Sequence, residues 1–190
     1  MALPANAKTI LALGDSLTAG YGLEAGHAMP DVLQAALQKV GVDVKIINAG
    51  VSGDTAAQGA ARLDWALTPG VQAIMLELGA NDALRGLPPE QTEQALRQIL
   101  NEAKAKNLPV LILGMKAPPN LGEDYRAKFD AIYPRLSADF HQPLYPFYLD
   151  GVAGQSDLNQ ADGIHPNDKG VTIIVSRMLP LLHEFVSTLP

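Results

Sequence analysis

Five short, almost uninterrupted apolar segments, separated by longer helical patterns, restrict the fold of this chain more than any other feature of its sequence. Such segments are typical of strands buried on both faces of a sheet, because half-exposed strands alternate apolar with polar residues. The fifth segment contains proline, which cannot donate a backbone hydrogen bond and therefore favours the edge of a sheet. The predicted strands are residues 9–13, 44–48, 73–78, 110–113 and 143–148.

Helical patterns occupy the intervals between the predicted strands. Apolar residues recur every three or four positions in residues 28–40, 90–106 and 171–185, which is the spacing of an amphipathic helix. Asp54 is predicted to cap a short helix of small residues, and Pro180 to kink the last helix or bend its end. Because strands and helices alternate throughout, we expect an α/β fold with a parallel sheet between two layers of helices.

The composition indicates a globular protein and argues against two classes of partner. The length of 190 residues suits one domain with a sizeable core, so residues 1–190 are predicted to form a single domain. The net charge is −6, whereas a nucleic acid would require a basic surface. No apolar segment approaches the ~20 residues that cross a bilayer, so no integral membrane segment is expected. Cysteine is absent, which excludes disulfides and thiolate metal ligands.

The loops that follow the predicted strands carry the polar residues expected of a functional site. In open α/β sheets, sites form at the carboxyl ends of the strands, where the strand order reverses. Each of these loops combines polar side chains with glycine or proline. In chain order the loops read GDSLTAG (14–20), AGVSGDT (49–55), GANDALRG (79–86), GMKAPPNLG (114–122) and QADGIHPN (160–167).

Two of these loops contain the side chains of a serine nucleophile and its base. Ser16 follows the first strand, and His165 is the histidine best placed to accept its proton. Asp162 precedes His165 by three residues, and a tight turn at Gly163 would let its carboxylate accept a hydrogen bond from Nδ1–H. The predicted catalytic residues are therefore Ser16, Asp162 and His165, in this chain order. The G-x-S-x-G motif of α/β-hydrolases is absent.

Donors for an oxyanion are expected at the same edge of the sheet. Gly53 lies where the second loop enters a helix, so its backbone N–H is free to point outward, and the positive end of the helix dipole favours an anion. Asn81 can donate from its side-chain amide in the third loop. Together with the backbone N–H of Ser16, these groups form the predicted oxyanion hole, made of Ser16, Gly53 and Asn81.

Each of these residues also has a purely structural interpretation. Ser16 could be a turn residue or a helix cap, and Asp162 a turn residue. His165 and Pro166 could open the last helix, and Asn81 could cap a short one. No third ligand lies near Asp162 and His165 in the sequence, so no metal site is predicted. A non-catalytic binding module for a small anion could use the same sheet, but it would not need the three aligned side chains.

An acyl-binding groove beside the predicted triad would need apolar walls. Leu17, Ala83, Leu84 and residues 117–121 lie in loops at the same edge and could form those walls. The same residues could instead pack only against neighbouring loops. The sequence therefore leaves the preferred length of the acyl chain open, because the loop conformation sets the depth of a groove.

Four sequence blocks resemble those of the SGNH (GDSL) hydrolase superfamily. They are GDSL (14–17), SGD (52–54), GAND (79–82) and DGIHP (162–166), in the order of that family. Carried over by position, the resemblance implies that Ser16 is the nucleophile and that Asp162 and His165 complete the triad. It also implies that Gly53 and Asn81 complete the oxyanion hole.

Longer matches resemble the branch of bacterial arylesterases and multifunctional acyl-CoA thioesterase I–lysophospholipases. These matches are NAGVSGDTAAQGAARL (48–63), LELGANDALRG (76–86), PPEQTEQALRQIL (88–100) and ADGIHPN (161–167). The branch implies a three-layer α/β/α, flavodoxin-like fold with a five-stranded parallel sheet. It also implies hydrolysis of aryl and short-to-medium acyl esters, acyl thioesters or lysophospholipids, without a cofactor. Other branches of the superfamily remove acetyl groups from carbohydrates, which is an alternative reaction for this chain.

The same resemblance bears on partners and location. The expected partner is a small-molecule ester or thioester, while the oligomeric state is left open. Members of the branch are commonly exported, which implies a periplasmic or secreted protein whose signal peptide has been removed. The N-terminus MALPANAK lacks a basic segment followed by a hydrophobic stretch, so a cytoplasmic location is the alternative.

Overall fold

Within residues 7–189, which the computed structural model describes, five parallel strands form one sheet. The strand order is 2-1-3-4-5, so the order reverses between the first and the third strand, as in flavodoxin-like folds. The strands are β1 (Lys8–Gly14), β2 (Val44–Gly50), β3 (Ala73–Leu76), β4 (Val110–Leu113) and β5 (Leu144–Tyr145). The predicted five-stranded parallel sheet is thus confirmed.

Helices connect the strands and cover both faces of the sheet. The described helices are α1 (Ser16–Ala19), α2 (Met29–Lys39), α3 (Ala56–Ala61), α4 (Leu63–Ala66), α5 (Ala80–Leu84), α6 (Pro89–Ala105), α7 (Glu123–Asp130), α8 (Ile132–Phe140) and α9 (Asp168–Thr188). Right-handed crossovers place α2, which joins β1 to β2, opposite the helices that join the later strands. α9 packs against α2, while α3 and α8 pack against α6. The result is a three-layer α/β/α sandwich.

The core explains the continuous apolar segments. Every residue of β3 and β4 is buried, because helices cover these central strands from both sides. α6 contributes the matching apolar stripe, with Leu96, Ile99 and Leu100 buried and its charged residues on the opposite face. The helical period predicted for this segment is thus confirmed, and its bounds differ by one residue at each end.

β5 is shorter than the sequence predicts. The apolar segment covers residues 143–148, but only Leu144–Tyr145 pair with β4. Pro143 and Pro146 flank this pair, and neither can donate a hydrogen bond to the ladder. The strand lies at the edge of the sheet, as its prolines predict.

The N-cap of α3 is Thr55, so the prediction of Asp54 is wrong. Thr55 Oγ1 accepts a hydrogen bond from the Gln58 N–H at 3.3 Å, and Gln58 Oε1 accepts one from the Thr55 N–H at 2.9 Å. This reciprocal pair is a capping box, which the T-x-x-Q spacing indicates in the sequence. The Asp54 carboxylate instead accepts a hydrogen bond from Arg62 Nε at 2.6 Å.

α9 begins later than the alternative interpretation of His165 and Pro166 assumed. Its N-cap is Asn167, whose side-chain oxygen accepts hydrogen bonds from the backbone N–H groups of the first turn, so Pro166 does not open the helix. The helix continues through Pro180 to its end at Thr188. By length and composition alone it could cross a membrane, which the sequence analysis did not anticipate. Eight of its residues are buried in the protein, as in a core helix.

Candidate active site

Ser16 lies at the carboxyl end of β1, where it is the first residue of α1. The helix cap is Asp15, whose Oδ1 accepts a hydrogen bond from the Leu17 N–H at 2.9 Å, so Ser16 is not the capping residue. The register pairs Gly14 with Gly50, which places Ser16 beside the loop that follows β2. The hydroxyl of Ser16 is therefore available to another partner.

That partner is His165, in the loop between β5 and α9. His165 Nε2 lies 2.9 Å from Ser16 Oγ, and His165 Nδ1 lies 2.7 Å from Asp162 Oδ2. With the proton on Nδ1, the imidazole donates to the carboxylate, and its Nε2 accepts a hydrogen bond from the serine hydroxyl. The structure thus brings together the three residues that the sequence analysis selected as catalytic.

Asp162 is fixed by its own backbone as well as by the imidazole. Its Oδ1 accepts hydrogen bonds from the N–H groups of Ile164 at 2.9 Å and His165 at 3.0 Å. The hydrogen bond from the His165 side chain, followed by these two backbone bonds, lowers the pKa of the Asp162 carboxyl to about 2. This side chain is consequently ionised at neutral pH, although it is 36% exposed.

The loop that carries His165 is attached to the loop after β1. The side-chain amide of Gln160 donates hydrogen bonds to the carbonyl oxygens of Tyr21 at 2.7 Å and Pro166 at 3.0 Å. The Gln160 N–H donates to the His165 carbonyl at 2.7 Å. The ring of Tyr21 lies against that of His165, with centroids 4.6 Å apart. These contacts fix the imidazole relative to Ser16.

Two backbone N–H groups near Ser16 are free to bind an anion. Within residues 7–189, neither the N–H of Ser16 nor that of Gly53 has a hydrogen-bond acceptor. Gly53 lies in a turn closed by the Asp54 N–H and the Val51 carbonyl, and its φ of 88° favours glycine. Arg85 Nη2 donates to the Gly53 carbonyl at 2.8 Å, which holds this peptide in place.

The side chain of Asn81 joins the loops after β1, β2 and β3. Its Nδ2 donates hydrogen bonds to Asp15 Oδ2 and to the Asp54 carbonyl, both at 3.0 Å. Asn81 does not cap α5, because the N-cap of that helix is Gly79. Both N–H groups of the Asn81 amide thus have acceptors. An oxyanion bound here would have to share one of these N–H groups with its present acceptor.

A pair of buried carboxyl groups lies behind Ser16, and the sequence analysis did not predict that Glu77 would pair with Asp15. Asp15 and Glu77 are 0% and 1% exposed, and Glu77 Oε2 accepts hydrogen bonds from the Asp15 N–H at 3.2 Å and from Thr18 Oγ1 at 2.8 Å. Burial raises the pKa of Asp15 to about 6. Burial, followed by the charge of Asp15, raises the pKa of Glu77 well above its usual range. The signal for this pair was a glutamate inside the apolar segment AIMLEL.

A cavity of about 510 Å³ opens beside Ser16 and His165. Its apolar walls include Leu17, Ala83 and Leu84, which the sequence analysis proposed for an acyl groove, and residues 117–119 of the predicted 117–121. Met115, Phe147 and Leu149 extend these walls, and no sequence pattern had indicated them. A second groove of about 520 Å³ lies between α2 and α9 and contains none of the candidate catalytic residues.

Among the residues that the structure describes, no three His, Cys, Asp or Glu side chains are grouped so that they could hold a metal ion. The groups that meet at this edge of the sheet are a serine hydroxyl, an imidazole, a carboxylate and free N–H donors.

Comparison with known proteins identifies the family. Residues 12–173 match the GDSL-like lipase/acylhydrolase family. This chain belongs to that family. Thioesterase 1/protease 1/lysophospholipase L1 of Escherichia coli (strain K12) is 42% identical over 184 residues, which cover 96% of this chain and 87% of that protein.

Solved structures agree with this family assignment. The crystal structure of AlinE4, an SGNH-hydrolase family esterase, has a TM-score of 0.82 at 44% identity and covers 96% of this chain and 98% of that one. The psychrotrophic esterase EstA from Pseudoalteromonas sp., inhibited by monoethylphosphonate, has a TM-score of 0.89 at 33% identity, with coverages of 95% and 100%. The predicted family and fold are confirmed, and with them the class of enzyme, a carboxylic ester hydrolase.

Proposed function

We propose that this family member cleaves its ester through an acyl-enzyme formed on Ser16, with His165 as the base and Asp162 as the residue that orients the imidazole. The observation that carries the proposal is the continuous hydrogen-bonded series from Ser16 Oγ to His165 Nε2, at 2.9 Å, and from Nδ1 to Asp162, at 2.7 Å. This series opens into a cavity large enough for an acyl chain. A serine that served only as a turn residue would not need this series of hydrogen bonds.

In the first half-reaction His165 Nε2 takes the proton of Ser16 as Oγ attacks the carbonyl carbon. The imidazolium that forms is stabilised by the Asp162 carboxylate, whose low pKa keeps it charged. The imidazolium then gives its proton to the departing alcohol or thiol, and the acyl group remains on Ser16. Water, activated by the same imidazole, releases the acid and restores the hydroxyl.

The proposed oxyanion hole consists of the N–H groups of Ser16 and Gly53 and the side-chain amide of Asn81. The first two have no competing acceptor among residues 7–189, which supports their role. Asn81 keeps its bond to Asp15 and shares its other N–H between the Asp54 carbonyl and the oxyanion. The Asp15 carboxylate thereby holds the Asn81 nitrogen at the site. Loss of one such donor lowers kcat roughly 10²–10³-fold.

The proposed substrates are aryl and short-to-medium acyl esters, acyl thioesters and lysophospholipids. The names of the E. coli relative and of the arylesterase of Vibrio mimicus, 38% identical over 181 residues, support this range. The apolar walls of the cavity suit an acyl chain. We also propose a periplasmic location, as the resemblance to exported members of the branch implies.

Hydrolysis of p-nitrophenyl butyrate by purified wild type and by Ser16→Ala tests the proposal. We expect Ser16→Ala to lose activity by on the order of 10⁴-fold, while its thermal unfolding matches that of wild type. Ser176→Ala removes an exposed serine of α9 and serves as the control with unchanged activity. Equal rates for wild type and Ser16→Ala would overturn the proposal. A fluorophosphonate should label wild type and Ser176→Ala but not Ser16→Ala.

A further inference from the structure

Among the described residues, the cavity beside Ser16 is lined by two cationic side chains and no carboxylate, although the protein as a whole is acidic. The chain has 20 acidic and 14 basic residues, yet no Asp or Glu lines this cavity. Lys116 and Arg126 both line it. Because the remaining walls are mostly apolar, charge in this cavity is screened less than on the open surface.

Arg126, on α7, lacks the partner that a partly buried arginine normally has. Its Nε is buried without a hydrogen-bond partner, and within residues 7–189 no carboxylate lies within ion-pair distance of its guanidinium. Hydrogen bonds are formed by the side chains of the other five arginines, Arg62, Arg85, Arg97, Arg135 and Arg177. A guanidinium left unpaired next to an apolar cavity favours an anion from outside the chain.

The acidic groups of neighbouring elements are already engaged. Asp130, one turn further along α7, accepts a hydrogen bond from the Ala117 N–H at 2.8 Å. Asp82 accepts hydrogen bonds from the Ala56 N–H and from Thr92 Oγ1. Glu90 lies 3.7 Å from Lys128. None of them neutralises Arg126.

Lys116 supplies the second cation. Its Nζ lies 5.2 Å from the centre of the Phe147 ring, a cation–π contact with another residue of the same cavity. No salt bridge joins Lys116 to a carboxylate of the described residues. The aromatic ring places the ammonium at the wall of the cavity and leaves its hydrogen-bonding groups free.

We propose that Arg126 and Lys116 form a subsite for an anionic group, a carboxylate or a phosphate, on the ester that Ser16 attacks. The subsite rests on the proposed function, since the same cavity contains Ser16. Arg126 binds the anion through its planar guanidinium, which matches two oxygens at once, and Lys116 adds a point charge. The enzyme therefore selects esters whose acyl chain or leaving group ends in an anion over neutral esters of the same length.

Two pairs of substrates test the subsite and locate the anion. The first pair is mono(p-nitrophenyl) suberate and its methyl-capped diester, which differ by one charge on the acyl side. The second pair is 4-acetoxybenzoate and methyl 4-acetoxybenzoate, which differ by one charge on the leaving group. We expect the wild type to favour the anionic member of at least one pair by roughly 10-fold in kcat/KM, mainly through KM, and this preference to weaken as salt is added.

Variants identify the cations responsible. Arg126→Gln should remove most of this preference, lowering the ratio of kcat/KM between anionic and neutral members by roughly 10-fold. Lys116→Gln should lower it by roughly 2- to 5-fold, because this side chain is exposed. Lys128→Gln removes the same charge from α7 outside the cavity and should leave the ratio unchanged. Arg126→Lys keeps the positive charge but not the planar guanidinium that binds two oxygens at once, so it should give an intermediate ratio.

The subsite is wrong if the wild type shows no preference in either pair, or if Lys128→Gln lowers the ratio as much as Arg126→Gln. In both cases hydrolysis of the neutral esters by wild type and its loss in Ser16→Ala would leave the proposed function standing. If no ester of either pair is hydrolysed in a Ser16-dependent way, the proposed function fails as well. Competitive inhibition of neutral-ester hydrolysis by free suberate, absent in Arg126→Gln, is an independent measure that does not depend on turnover of the charged ester.

Discussion

Three carboxyl groups around Ser16 differ in charge because their surroundings differ. Asp162 is partly exposed and accepts three hydrogen bonds, which lower its pKa to about 2. Asp15 is fully buried, yet the Leu17 N–H and Asn81 donate to it, and its pKa is raised only to about 6. Glu77 is buried with one oxygen unpaired, and burial, followed by the charge of Asp15, raises its pKa well above the usual range. Asp162 and Asp15 therefore favour the anion at neutral pH, whereas the surroundings of Glu77 favour its protonated form most strongly of the three.

Asp162→Asn should lower kcat/KM by on the order of 10³- to 10⁴-fold, because an amide cannot hold the imidazole in the required tautomer. Asp157→Asn, an exposed change in the same segment, is the control, and a similar loss of activity in it would contradict the assignment.

The depressed pKa of Asp162 in the folded state means that its contribution to stability is complete above about pH 4 and is lost as the pH falls through about 2. An NMR titration of the Asp162 carboxyl should show this midpoint.

Glu77→Gln should make the protein more stable than wild type at alkaline pH. The raised pKa values of Asp15 and Glu77 mean that the folded state binds more protons than the unfolded state above about pH 4, so wild-type stability falls as the pH rises. The amide keeps an acceptor for Thr18 without the ionisation, so the gain in the free energy of unfolding over wild type should grow as the pH rises through the raised pKa of Glu77.

Urea unfolding from about pH 5 to about pH 9 measures this effect. Glu77→Ala is the matched variant, because it removes the charge but leaves the Thr18 hydroxyl and the Asp15 N–H unpaired, and we expect it to be less stable than wild type. Parallel pH profiles for wild type and Glu77→Gln would contradict a raised pKa of Glu77.

At the scale of elements, the turn between β3 and α5 sets the position of Asn81. Gly79 caps α5 with a φ of 114°, and a Cβ on it would overlap the hydroxyl of Tyr133. That hydroxyl is buried and donates to the Leu78 carbonyl at 2.9 Å. The turn therefore depends both on backbone conformation and on a close approach from α8.

Gly79→Ala should destabilise the protein by roughly 2–4 kcal/mol and lower activity by displacing Asn81. Tyr133→Phe should cost about 1–2 kcal/mol, from the unpaired carbonyl. The double variant should lose less stability than the sum of the losses of the two single variants, because removing the Tyr133 hydroxyl makes room for the new Cβ. Urea unfolding of all four proteins measures the coupling. Gly26→Ala, with a φ of 86° and open space around it, is the control for backbone strain alone; strict additivity of the two changes would contradict the overlap.

The sequence predicts these elements unevenly, for physical reasons. β3, β4 and α6 were predicted within two residues of their observed ends, because burial fixes their apolar periodicity. β5 was overestimated because apolar content alone ignores the missing donors of Pro143 and Pro146. The cap of α3 was assigned to Asp54 instead of Thr55, since side-chain oxygens of both types cap helices and the choice depends on one residue of register.

At the scale of the whole molecule, the sheet brings together groups that are far apart in the chain. Ser16 and His165 are separated by 149 positions and form a hydrogen bond. The parallel order predicts that they meet at one edge, so the triad and the free N–H groups could be selected from the sequence. Arg126 could not, because its importance depends on a guanidinium that no carboxylate of the described residues contacts in the folded chain. Glu77 left one signal, a charged residue inside the apolar segment AIMLEL, but its pairing with Asp15 depends on the sheet. The single-domain prediction for residues 1–190 stays a prediction.

α9 links this site to the rest of the fold. Its N-cap Asn167 lies two residues after His165, and its side-chain amide donates to the Asp157 and Asn159 carbonyls at 3.0 and 3.2 Å, which closes the His165 loop. Further along, the helix buries Met178 and Leu182 completely and packs against α2. One helix thus carries both the anchor of the His165 loop and a large part of one apolar layer.

Leu182→Ala should therefore lower the free energy of unfolding by about 2–5 kcal/mol, while kcat per folded molecule stays at the wild-type value. Leu182 lies about 20 Å along the helix from Asn167, so the cavity left behind does not reach His165. Urea unfolding and active-site titration measure the two effects, with half-buried Leu181→Ala as the milder control. The result also distinguishes the two roles that the length of α9 permits. If the helix crossed a membrane, alanine at positions 181 and 182 should have similar effects. In a core helix, Leu182→Ala should lower the free energy of unfolding more than Leu181→Ala.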